Sequence, residues 1–119
     1  MEIYKKINPI NRAGSEALDE LKIRVRYDKG GYYGRRGVYA YITPVHRDIV
    51  GNGLTTETCT VCGEIHESGF KMLLRELGRK SQKVEDEIAS KIEAKADEIA
   101  SLWNEHKHDD VADILRNAM

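Results

Sequence analysis

The sequence predicts an α+β fold. A three-stranded antiparallel β-meander over residues 21–61 packs on a long, bent amphipathic helix over 67–104, followed by a short helix over 109–118. Three observations carry this. Apolar and basic residues alternate strictly from Leu21 to Tyr27. Gly51-Asn52-Gly53 is a turn signal between two runs rich in β-branched residues, since Asn and Gly tolerate positive φ at little cost. From Glu67 onward the apolar spacing becomes three and four residues, the period of a helix. At 119 residues a single domain is expected, because two independent cores would each be too small.

In the first strand, Leu21, Ile23, Val25 and Tyr27 point to one face and Lys22, Arg24 and Arg26 to the other. The loop Asp28–Gly37 holds four glycines and leads to a second strand, Val38–Val45, with Pro44 near an expected edge or bulge. Leu54–Val61, with its threonines, suits the third strand. The helical stripe runs Phe70, Leu73, Leu74, Leu77, then Val84, Ile88, Ile92, Ala96, Ile99 and Trp103. One helix from Ser68 to Asn104 would be about 55 Å long, whereas a domain of this size is roughly 35 Å across. A bend is therefore expected near Gly78-Arg79-Lys80-Ser81, or a second copy must cover the far half. That second option makes Ile88, Ile92, Ile99 and Trp103 a candidate dimer interface. Asp109 or Asp110 is the natural N-cap of the last helix.

The formal charge is −1, yet its distribution is uneven. Residues 22–47 carry seven Lys and Arg against Asp28 alone, a net of +6, while residues 81–113 carry ten acids against four lysines, a net of −6. Five of the six tyrosines lie between Tyr27 and Tyr41, among those basic residues. Guanidinium groups neutralise phosphates and aromatic rings stack on bases. Arg24, Arg26, Lys29, Tyr32, Tyr33, Arg35, Arg36, Tyr39 and Tyr41 are therefore candidate nucleic-acid contacts. The same composition also fits an ordinary solvated sheet face, or basic groups docked on the chain's own acidic helices.

Cys59-Thr60-Val61-Cys62-Gly63 has the spacing of a metal knuckle, with His66 as a third ligand and His46, His106 or His108 available as the fourth. One structural zinc would complete that reading. The other reading is a strand end with Cys59 and Val61 turned inward. A redox role would want a βαβ setting, which is not read here. Two cysteines are too few for a disulfide scaffold and suit a reducing, cytoplasmic location. The longest apolar run, Val38–Ile42, is far too short to span a membrane. No Lys-Ser or Lys-Thr follows the glycines of 30–34, and no nucleophile is placed by a recognisable elbow, so an enzyme is not expected.

The stretches Ile23–Tyr32, Arg36–Val45, Ser68–Leu74 and Arg79–Lys83 resemble a group of small uncharacterised proteins encoded on prophages, plasmids and conjugative elements of gut anaerobic bacteria. The resemblance covers residues 21–95 and implies mobile-element biology: nucleic-acid handling, or inhibition of a host defence nucleoprotein. It supplies no catalytic residues. Two functions follow as expectations. The first is a non-enzymatic module binding nucleic acid or a nucleoprotein through the basic, aromatic sheet face. The alternative is a helix-mediated homodimeric inhibitor or scaffold that works through its acidic helices.

Overall fold

A computed structural model of the chain describes residues 1–30, 34–47, 54–57, 65 and 67–118. Five strands and three helices follow one another as β1 (Glu2–Arg12), β2 (Ser15–Asp28), β3 (Gly37–Arg47), β4 (Leu54–Glu57), β5 (Phe70–Glu76), α1 (Gln82–Glu93), α2 (Ala96–Asn104) and α3 (His108–Arg116). All strand pairs are antiparallel, in the order β1-β2-β3-β4, with β5 also on β3. The expected architecture of three strands on one long helix is thus corrected to a larger sheet and three short helices.

The central strand explains the difference. Nearly all of β3 is buried, so its backbone donors and acceptors need partners on both edges. One edge pairs with β2 along its length. The other is shared: β4 takes Val45–Arg47 and β5 takes Gly37–Ile42. The segment read as the first half of the helix is therefore β5. Its Phe70, Leu73, Leu74 and Leu77 have helical spacing, but Phe70, Met72 and Leu74 also alternate, and those three enter the core. A bulge between Val38 and Tyr39 shifts the register so that Arg75 follows Leu73 as the next partner. Gly37 sits where the strands close, and a Cβ there would run into the backbone carbonyl of Arg75.

Glu2–Arg12 form a strand that the sequence pattern conceals. Ile3 and Ile7 face inward, but the inward position between them is Lys5, whose ammonium reaches Asp97 of α2 at 2.9 Å. A cation in the inward row breaks the alternation that marks a strand.

Helix formation begins at Ser81, whose hydroxyl accepts from the Val84 N–H. The helical stretch breaks at Ala94-Lys95 rather than near Gly78, which lies in the strand-to-helix connection. The break keeps the molecule to 43 × 27 × 25 Å and lets both helical segments reach the sheet. Lys107, not Asp109 or Asp110, precedes α3; those two acids fall in its first turn, where they complement the helix dipole.

The core lies between the helices and one face of the sheet. Leu21, Ile23, Val25, Val38, Ala40, Ile42, Phe70 and Met72 meet Ile88, Ile92, Ile99, Trp103, Val111 and Leu115. Trp103 stacks on Phe70, with ring centroids 6.5 Å apart. The four residues considered for a dimer interface are therefore in the chain's own core: Ile88, Ile92, Ile99 and Trp103 are at most 4% exposed. They leave no apolar stripe for a second copy to cover.

Candidate functional site

The opposite face of the sheet carries the basic and aromatic residues. The register pairs Arg24 with Tyr41 and Arg26 with Tyr39, as the alternation requires. Across β1, β2, β3 and β5 one row reads Glu2, Arg24, Tyr41, Lys71, and across β2, β3 and β5 the next reads Arg26, Tyr39, Leu73. Of the candidate contacts, these registers bring together Arg24, Arg26, Tyr39 and Tyr41. Lys29, Arg35 and Arg36 are exposed around the loop at the same end of the sheet. Tyr32 and Tyr33 lie outside the described residues.

Asp28 organises this cluster. Its Oδ2 accepts from the Tyr41 hydroxyl at 2.7 Å and from Lys71 Nζ at 3.1 Å, with the Arg26 guanidinium at 3.9 Å. Its Oδ1 accepts from the Gly30 N–H, in a turn where Gly30 adopts a positive φ of 74°. The Tyr41 hydrogen bond, joined by those from Lys71 and Gly30, outweighs burial and lowers the Asp28 pKa to about 2. Burial works against the charge on Lys71, yet the hydrogen bond to Asp28 and the nearby Tyr41 raise its pKa overall. Lys22, deeper in the same face, is lowered chiefly by burial.

The tyrosines do not form an open stacking platform. Tyr39 is fully buried, its hydroxyl donating to the Arg35 carbonyl and Lys71 Nζ lying 4.5 Å from its ring centroid. The Tyr41 ring is flanked by Arg24 at 5.7 Å, Arg26 at 5.3 Å and Lys71 at 5.2 Å. These rings hold cations in place. What the face offers outward is positive charge.

The charge balance is local to the sheet. Arg24 pairs with Glu2 at 3.7 Å, Arg35 with Glu76 at 3.4 Å, and Arg47 with both carboxylate oxygens of Glu20 at 2.8 Å while covering the Tyr4 ring. The acids of residues 81–113 pair elsewhere: Asp97 with Lys5, Glu98 with Lys95, Glu105 with Lys107 and Asp113 with Arg116. Among the described residues, no ion pair of Arg24, Arg26, Arg35, Arg47 or Lys71 reaches the acidic helices. The sheet separates the two populations.

Sequence reasoning missed Lys71, the cation that bridges Tyr39, Tyr41 and Asp28. Its signal was the alternation of Phe70, Met72 and Leu74 around it, masked by the helical spacing of the same segment.

Cys59, Cys62 and His66 lie outside the described residues. The other histidines are placed. His46 Nδ1 is 3.5 Å from Asp19. His106 and His108 flank the α2–α3 turn, ring centroids 6.2 Å apart, beside a cleft of about 210 Å³ lined also by Glu67 and Trp103. His106 takes a φ of 59° where its N–H bonds the Trp103 carbonyl and that of Lys107 bonds Leu102, the hydrogen-bond pattern of a Schellman turn. His108 packs on Trp103 at 4.3 Å, and burial lowers its pKa. Among the described residues no three side chains of metal-ligating type come together.

The geometry stands alone. The chain matches no family model, no curated protein and no solved structure. Among the described residues, no helix is long and apolar enough to cross a membrane.

Proposed function

We propose that the protein is a small non-enzymatic binding module that contacts the phosphate backbone of nucleic acid, free or within a nucleoprotein. The contact surface is the polar sheet face and the adjoining loop end. What supports the reading is a surplus of cations at one end of the molecule. Arg24, Arg26, Lys29, Arg35, Arg36 and Lys71 stand against Glu2, Asp28 and Glu76, and the acidic helices lie behind the sheet. A mobile-element setting, as the sequence resemblance implies, fits such a module.

Burial of Tyr39 and the cations around Tyr41 argue for phosphate contact rather than base stacking. The module should therefore bind single strands and duplexes with little sequence preference.

A salt-titrated gel shift with single- and double-stranded DNA and RNA tests this. Binding should weaken steeply with salt, and Arg35→Ala/Arg36→Ala should flatten the log–log slope by about 1.5 for two lost phosphate contacts. These two side chains are exposed, so the fold should tolerate their loss. An absence of binding at ~50 mM salt, where phosphate contacts are strongest, would end the proposal.

A further inference from the structure

We infer that the N-terminal half of β1 is a self-pairing edge. A second copy of this chain docks there as an antiparallel strand, centred on Tyr4.

The backbone pattern comes first. Met1 and Val25 exchange both main-chain hydrogen bonds, at 3.1 and 2.9 Å. In an antiparallel ladder such pairs alternate with pairs that exchange none. The register therefore turns the N–H and C=O of Ile3 and Lys5 toward β2, and those of Glu2, Tyr4 and Lys6 outward. Among the described residues nothing takes those outward groups. Beyond Lys6 the edge closes, because the Asn8 N–H donates to Asn104 Oδ1 at 2.7 Å and Pro9 has no donor. The open edge is Glu2–Lys6.

Charge then selects the occupant and the register. Glu2 and Lys6 flank Tyr4 symmetrically, with 43% and 78% of their side chains exposed. An antiparallel copy centred on Tyr4 sets Tyr4 against Tyr4, Glu2 against Lys6 and Lys6 against Glu2, pairing every outward-facing residue with another. That yields up to about six main-chain hydrogen bonds and two ion pairs. Centring on Glu2, Lys5 or Lys6 would oppose like charges. Centring on Ile3 would leave Lys6 unpaired. A lysine on an edge ordinarily repels strand addition; here Lys6, which lies 3.6 Å from Asp19 of its own chain and stays 78% exposed, gains a second carboxylate from Glu2 of the other copy.

The two-fold axis of such a pair is perpendicular to the sheet, so the polar faces of both copies look the same way. The dimer would carry one continuous basic surface. The pairing rests on β1 alone and holds whether or not that surface binds nucleic acid.

Sedimentation equilibrium of the full chain over a concentration series tests it, with far-UV circular dichroism to confirm folding. A reversible dimer is expected. Lys6→Pro removes an outward N–H without touching the β1–β2 ladder and should abolish it. Lys6→Glu should weaken it by about tenfold or more, through like charges directly opposed. The double swap Glu2→Lys/Lys6→Glu should restore it, which carries the test should Lys6→Pro fail to fold. A monomer at every concentration up to about 1 mM, near the weak limit of measurable association, would overturn the inference. So would a dimer indifferent to Lys6→Glu, or a double swap that restores nothing.

Discussion

Asp28 is the residue on which the basic face turns. By composition it is a lone acid in a run of cations, and its spacing gives no hint of a role. In the fold it stands at the end of β2, where Tyr41, Lys71, Arg26 and the Gly30 N–H converge. Its carboxyl titrates at about 2, below the ordinary 3.8, so the folded state holds the proton less tightly than the unfolded chain. The stability this contributes is complete above about pH 4 and is lost as pH falls from there toward 2. Its size is of the order of 1–2 kcal/mol, discounted for partial exposure. Urea unfolding between pH 5 and pH 2 should show wild type losing stability faster than Asp28→Asn, which has no proton to bind. Parallel curves for the two proteins would contradict the assignment.

At the scale of elements, strands with clean alternation are legible in the sequence. Leu21–Tyr27 and Val38–Val45 pair as the pattern of 21–45 implies, and their register brings Arg24 to Tyr41 and Arg26 to Tyr39. Where a functional or tertiary demand interrupts the alternation, the element is hidden. Lys5 occupies an inward position because Asp97 awaits it, and β5 shares its residues between two periods. Propensity could not choose between helix and strand there; the unpaired edge of β3 did.

Another tertiary link, from helix to strand, is equally unmarked. Glu85 of α1 is buried, and its Oε1 accepts the Tyr27 N–H at a point on β2 outside its pairing with β1. A capping partner for a strand end leaves no periodic signature. Glu85→Ala should cost about 1–3 kcal/mol by leaving that donor unsatisfied. Glu85→Gln, which keeps an acceptor, should cost clearly less. Chemical denaturation of the two variants checks this, and equal losses would remove the hydrogen bond from the account.

For the whole molecule, a formal charge of −1 conceals two surfaces of opposite sign. Segment sums reveal the imbalance, but not which way each half faces, because facing depends on the topology. The fold puts the sheet between them, and among the described residues no ion pair joins the acids of the helices to Arg24, Arg26, Arg35 or Lys71. What the face presents is also less aromatic than the tyrosine count implies, since burial and cation contacts are invisible in composition.

We propose that this one face, and not the net charge, selects a nucleic-acid partner. Two charge-equivalent variants test it most directly. Arg35→Glu/Arg36→Glu reverses two exposed cations beside the sheet face, and Lys91→Glu/Lys95→Glu reverses two on the helical side, one in α1 and one at the α1–α2 break. Both change the net charge by the same amount. Affinity for a labelled oligonucleotide at ~50 mM salt should fall by tenfold or more in the first and stay within about twofold of wild type in the second. Equal losses in the two variants would mean that only overall charge matters and would contradict the account.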